Sequence, residues 1–315
     1  MAAPCPVICL AGPTGAGKTA LALSLARELG GEIINADSRQ VYADFPLITA
    51  QPSPEERARA PHHLYGFLAT EQKISAGRWA GMAAAKAREV AARGRVPLLV
   101  GGTGLYFQAA LRGMAAIPAI APEVTRSLAA RLADAGPEAL HAELARRDPA
   151  YAARIHPRDR QRILRALEVL EGTGRTFSWW HGNAMAPPAV AGPLFVLGAS
   201  LDWLAPRLKR RLDAMLDAGA VGEARAALAR SPGALDGVRK PGWSGIGCAE
   251  LLDHLEGRTG LAECRARWLA NTRAYAKRQL TWFRARPEAR FLAPKGAEDA
   301  LLAGARAALS GHNGA

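Results

Sequence analysis

V-I-C-L-A-G-P-T-G-A-G-K-T-A, from Val7 to Ala20, decides how this chain is read. Val7 to Ala11 is a short apolar run, the pattern of a buried strand. Gly12, Pro13, Thr14, Gly15, Ala16, Gly17, Lys18 and Thr19 then reproduce the spacing of a phosphate-binding loop. A-L-A-L-S-L-A-R-E-L follows and reads as a helix. In strand, glycine loop and helix, backbone N–H groups turn inward and the helix start adds partial positive charge, so the loop is built for an anion. Lys18 would reach terminal phosphates and Thr19 would ligand Mg²⁺. The loop alone leaves open which phosphate is held and what is done to it.

The 315 residues are 49% hydrophobic and 22% charged, an ordinary globular composition sufficient for one large domain or two smaller ones. Lys and Arg number 41 against 28 Asp and Glu, a formal charge of +13, which points to a polyanionic partner and first to nucleic acid. Cys5, Cys9, Cys248 and Cys264 show no zinc-ligand spacing and read as reduced thiols of a cytosolic protein. The start M-A-A-P-C-P lacks the basic region of a signal peptide, and no apolar run is long enough for a membrane span. The expectation is a cytoplasmic monomer.

Outward from the loop, Gly30-Gly31 ends the first helix, and Glu32 to Ala36 reads as a second strand. Asp37-Ser38-Arg39-Gln40-Val41-Tyr42 stands at its carboxyl end, the edge where ligands bind in open α/β sheets. Asp37 there is a metal ligand, a base, or a cap on the next turn. Pro46 to Pro61 is loop-like. His62-His63 suits a structural or substrate-contacting role better than a metal site, because neighbouring side chains diverge. Ser75 to Arg93 reads as a helix and Val96 to Val100 as a third buried strand, ending in Gly101-Gly102-Thr103-Gly104-Leu105-Tyr106. Thr103 is placed to hydrogen-bond a phosphate or to cap a turn.

From Arg112 to about Pro193 the α/β alternation stops and a helical insertion is expected. Its strongest segment runs from Arg154 to Val169, with Ile163, Leu167 and Leu170 on one face and Arg158, Arg162 and Arg165 elsewhere. Such a stripe suits nucleic-acid phosphates, or is a solvated face. Trp179-Trp180-His181 reads as an irregular connector. Leu194 to Ala199 returns to the sheet, and an amphipathic helix over 204–216 follows. Lys240 to Gly247 is a glycine-rich loop. Arg265 to Arg286 is a long basic helix in which Trp268, Tyr275 and Trp282 recur at seven-residue spacing, a packing stripe. After Pro294 a weak helix and then disorder are expected.

G-P-T-G-A-G-K-T (12–19), D-S-R-Q-V-Y (37–42), G-G-T-G-L-Y (101–106), R-A-L-E-V (165–169) and A-K-R-Q-L-T-W-F-R (276–284) stand in one order. Together they resemble the bacterial tRNA dimethylallyltransferase family, from the first strand to about Arg286. The resemblance implies a P-loop NTPase-like parallel sheet flanked by helices, in a core of residues 1–112 and 194–290. A helical insertion at 113–193 would grip the tRNA anticodon arm, and 291–315 would be a tail. It implies transfer from dimethylallyl diphosphate, with Mg²⁺, to N6 of adenosine 37 in tRNA. By position, Asp37 matches the general base, Thr103 the residue between diphosphate and amine, and Arg211 an arginine on the leaving diphosphate. Residues 14–19 match the donor loop. Asp37, Ser38, Arg39 and Gln40 match tRNA contacts, with Thr103. So do Gln161, Arg162, Ile163, Leu164 and Arg165, with Lys277, Arg278 and Arg284 beside them. His62-His63-Leu64-Tyr65-Gly66 lacks an acidic residue the family usually has there, and Cys248-Ala249 replaces its usual Tyr-Lys.

The residues agree with that chemistry. A carboxylate at Asp37 would take the amine proton, and Lys18, Arg211 and loop amides would meet the growing diphosphate charge. No acidic residue suggests itself as a second Mg²⁺ ligand, which argues against an ordinary NTPase. A P-loop small-molecule or nucleotide kinase leaves the basic insertion unexplained. A non-enzymatic RNA-binding module leaves Asp37, Thr103 and two glycine loops at one sheet edge unexplained. A free-nucleotide prenyltransferase would need no insertion.

Overall fold

The computed structural model describes residues 3–235 and 238–312. It forms two compact units, Met1–Leu111 with Pro188–Ala315, and Arg112–Pro187.

The first unit is built on a six-stranded sheet. Its strands are β1 (Ile8–Ala11), β2 (Gly31–Asn35), β3 (His62–His63), β4 (Val96–Gly101), β5 (Leu194–Leu197) and β6 (Ala289–Leu292). The order is β6-β5-β1-β4-β2-β3, and every pairing is parallel. β1, β2 and β5 are buried along their whole length, as expected of parallel strands covered on both faces. Helices α1 (Lys18–Leu29), α2 (Ala76–Ala92), α3 (Gly104–Arg112), α4 (Leu201–Asp217), α5 (Leu261–Arg284) and α6 (Ala297–His312) belong to this unit apart from the last residue of α3. Leu10, Leu25, Leu98, Leu204 and Leu280 meet in its main core. All four cysteines are buried and free.

Parallel pairing sends β1, β2, β4 and β5 out at one edge. The phosphate loop, Asp37, Thr103 and α4 all follow those carboxyl ends, as Asp37's position in the sequence leads one to expect.

Three expectations are corrected. The helix expected after Pro294 is present, over Ala297–His312, but residues 291–312 are not a tail apart from the core. β6 pairs with β5 from Ala289↔Leu194 to Leu292↔Leu197, and α6 buries Leu301 and Ala305 in the core beside α1. The expected terminal disorder falls partly on residues 313–315, outside the described residues. Residues 188–193 pack with the first unit, where Val190–Ala191 pairs with Cys5–Pro6. Trp179-Trp180-His181 is helical, within Phe177–Asn183, because the Thr176 side chain accepts the Trp179 N–H and caps it.

The regular structure of the second unit is helical, joined by loops that carry one isolated bridge, Ala115↔Met185. Its longest helix, Pro122–Arg147, breaks at Gly136, whose φ of 79° no regular helix permits. Leu128, Leu132, Leu144, Ile163 and Leu167 form its core. Arg131 bonds Glu171 at 2.8 Å and Arg147 bonds Glu143 at 2.9 Å across its surface. Among the described residues no helix is long and apolar enough to cross a membrane.

Candidate active site

Gly15 and Gly17 hold φ of 78° and 95°, in the left-handed region glycine tolerates. Gly17 is also the residue before α1, and no side chain caps that helix, so its first N–H groups stay available to an anion. Lys18 folds back and donates from Nζ to the carbonyls of Gly12 and Pro13, each at 2.9 Å. Burial lowers its pKa to about 8; Asp37 acts against that and Arg211 with it. Lys18 therefore carries its charge below about pH 8 and loses it above. Binding a diphosphate at pH 9 must take a proton from solvent, so inorganic pyrophosphate affinity is expected to fall about fivefold from pH 8 to 9. Calorimetry in buffers of different ionisation enthalpy would register the proton uptake, and a flat profile would remove Lys18 from the site.

Asp37 is held from two sides. Buried Asn35 accepts its N–H at 2.8 Å and donates to its carbonyl at 3.0 Å and to Leu64 O at 2.9 Å. Asp37 Oδ1 accepts the Arg39 N–H at 2.8 Å, a local turn that fixes the carboxylate. Oδ2 lies beside Gly102, 3.3 Å from where a Cβ would stand. The Thr103 hydroxyl accepts the Ser38 N–H at 2.9 Å and meets the Ser38 hydroxyl at 3.2 Å, so the loops after β2 and β4 are tied together. Tyr275 is a further partner of Thr103, its phenol pushed up by burial and then by Asp37.

Thr14, Lys18, Thr19, Asp37 and Arg211 line one cleft of about 680 Å³, its open mouth included. Arg211 comes from α4. Burial pulls its pKa down, with Asp37 and Glu56 opposing, but a guanidinium keeps its charge regardless. His62 and Tyr65, 5.7 Å apart edge to face, also line the cleft, as do Ile33 and Val100. Gln40 also lines it, its NH₂ group donating to the Thr49 and Ala50 carbonyls. Arg39 reaches Ser244 Oγ at 3.1 Å, in the glycine-rich loop.

The remaining sequence candidates divide. Lys277, Arg278 and Arg284 are exposed on α5, whose Trp268 is core while Tyr275 and Trp282 are half-buried. Gln161, Arg162 and Arg165 are exposed on the helix Arg160–Thr173 of the second unit. Ile163 is corrected: it is fully buried in that unit's core and cannot touch a nucleic acid, and Leu164 is half-buried against the same core. Sequence reasoning missed Asn35, Tyr65 and Gln279. Asn35 had a readable signal, an amide at the end of an apolar strand; the other two had none outside the fold.

A glycine loop opening a helix at the carboxyl edge of a parallel sheet defines a phosphate-loop α/β protein, and its cleft carries the Asp37 carboxylate, threonine hydroxyls and the cations Lys18 and Arg211. The IPP transferase family model matches residues 40–286. A tRNA dimethylallyltransferase of Desulfovibrio desulfuricans is 66% identical over 289 residues, 92% of this chain and 88% of that protein. One from Nitratidesulfovibrio vulgaris is 56% identical over 94% of each. Among solved structures, the full-length tRNA isopentenylpyrophosphate transferase of Bacillus halodurans matches 94% of each chain at 32% identity and a TM-score of 0.67. A eukaryotic dimethylallyltransferase acting on tRNA covers 92% of this chain and 74% of its own at 29% identity and a TM-score of 0.77. The chain belongs to the IPP transferase family. These relatives favour a prenyltransferase over a kinase.

Proposed function

We propose that this enzyme transfers a dimethylallyl group from dimethylallyl diphosphate to N6 of adenosine 37 in tRNAs reading codons that begin with U, and releases diphosphate. What carries the reading is that Asp37, Lys18 and Arg211 line the same cleft. The phosphate loop holds the diphosphate, and the prenyl group lies toward Ile33, Val100 and Tyr65. The flipped adenine presents its amine to Asp37. As the N6 lone pair forms a bond to C1 of the donor, the C1–O bond breaks and its electrons pass to the diphosphate. The N6 proton passes to the Asp37 carboxylate. Lys18, Arg211 and the loop N–H groups stabilise the departing charge. Thr103, fixed by Ser38, keeps the amine between base and donor.

The Thr19 hydroxyl is a hard oxygen on the cleft wall, and no cluster of three or more His, Cys, Asp or Glu with metal-holding geometry occurs among the described residues. That donor set fits Mg²⁺, which keeps waters and takes most ligands from a bound diphosphate. The ion would add positive charge at the phosphate oxygens.

The test is transfer from labelled dimethylallyl diphosphate, offered tRNA beside free AMP. Label is expected on tRNA and lost when adenosine 37 is replaced. Label on AMP alone would transfer the reading to a free-nucleotide enzyme. The second unit is assigned to the anticodon arm through Arg162 and Arg165, exposed and only loosely paired to Asp159 at 3.5 Å and Glu168 at 3.4 Å. Changing both to Gln is expected to weaken tRNA binding and lower its salt slope by about 1.4 to 1.8, two phosphates' worth. An unchanged slope would make them solvated surface.

A further inference from the structure

Gln279 stands behind the cleft wall, bonded to two of its loops, a place that neither its charge nor its motif announces. It sits on α5, between exposed Arg278 and core Leu280, and is only 5% exposed. Its Oε1 accepts the Thr14 N–H of the phosphate loop at 3.0 Å. Its Nε2 donates to the Gly102 carbonyl, next to Thr103, at 2.9 Å. One planar amide thus spans two loops that leave different strands, 265 residues from one and 177 from the other. The two partners also fix which end is which, since an N–H must face oxygen and a carbonyl must face the NH₂ group. A Cβ at Gly102 would stand 2.2 Å from Nε2, so the glycine makes room for the bridge.

We propose that Gln279 is a positioning residue, setting the distance between the diphosphate loop and the Thr103 loop so that donor and amine meet in line. The proposal rests on the reading of residues 12–19 as a diphosphate site. The Thr14 bond shapes the loop that grips the donor, and the Gly102 bond sets the loop beside the acceptor. The two halves are separable. Gln279→Glu keeps an acceptor for Thr14 but, ionised, has no proton for Gly102. Gln279→Met keeps the volume and loses both bonds.

Both variants and the wild type are compared by inorganic pyrophosphate affinity, KM for dimethylallyl diphosphate, kcat, tRNA affinity and thermal melting. Gln279→Met is expected to weaken pyrophosphate affinity and raise KM about tenfold, the scale of one buried hydrogen bond, with tRNA affinity within about twofold. Gln279→Glu is expected to keep pyrophosphate affinity within about threefold while kcat falls. Its kcat relative to wild type should rise from pH 8 to pH 6, as the buried carboxyl regains a proton and donates to Gly102. Unchanged pyrophosphate affinity in folded Gln279→Met overturns the proposal, as does a melting loss with KM and kcat intact. If Gln279→Met does not fold, a Gln279→Glu whose relative kcat is flat with pH overturns it alone. Pyrophosphate failing to bind the wild type would overturn the diphosphate-site reading itself, a distinct result.

Discussion

Asp37→Asn is expected to lower kcat at least about a hundredfold while tRNA affinity stays within about threefold. The substitution is chosen because it leaves the scaffold in place. An Asn side-chain oxygen still accepts the Arg39 N–H, and Asn35 still holds the backbone at 37. What disappears is the proton acceptor of the proposed mechanism. The adenine N6 lone pair is delocalised into the ring, so bond formation without concerted proton removal builds positive charge on nitrogen with nothing to receive it. Asp37→Ala should fall at least as far, with an added loss from the broken turn. One side effect must be separated. Asp37 helps keep Lys18 protonated, so its removal lowers the Lys18 pKa below about 8. Pyrophosphate affinity measured at pH 6.5 keeps Lys18 charged and isolates the base. Turnover within fivefold of wild type would take Asp37 out of the proton transfer.

Arg211→Gln is expected to lower kcat/KM by about 10² to 10³, the range for loss of one group aimed at developing charge. α4 places Arg211 in the cleft while Leu208 and Leu212, on either side of it in sequence, are buried in the cores. The side chain can therefore be changed without stripping the helix of its packing. Its guanidinium is partly buried before the donor arrives, enough to pull its pKa down, so its field at a phosphate oxygen is less screened than on the open surface. Arg211→Lys should recover part of the loss, because a point charge replaces a planar fork suited to two phosphate oxygens. Single-turnover transfer with saturating tRNA gives the number. An effect confined to tRNA affinity would move Arg211 from the diphosphate to the nucleic acid.

The phosphate loop and Asp37 stand out in the amino-acid sequence alone, and the reason is locality. A phosphate loop is one covalent segment whose glycines, lysine and threonine lie within eight residues, Gly12 to Thr19. Asp37 and Thr103 follow apolar runs whose length and composition mark them as strands, and parallel strands leave at one edge. The sheet, the helical insertion and the basic face of α5 are legible on the same grounds. Arg211, by contrast, is one of several basic residues on its helix, and only the family resemblance singles it out.

The sequence by itself determined the phosphate loop, the parallel α/β core and the edge at which the chemistry assembles, because each is written in spacings of a few residues. Only the tertiary structure decided that Ala289–Leu292 closes the sheet and that α6 completes the core. A four-residue edge strand bearing Arg290 and an Ala-rich helix acquire their meaning from the surfaces they cover. It also decided that Ile163 is core rather than contact, since burial depends on Leu128 and Leu144 arriving from another helix. Most plainly, it brought Gln279 to Thr14 and Gly102. A hydrogen bond across 265 residues leaves no periodic trace in the chain, because it depends on three-dimensional proximity that no local pattern encodes.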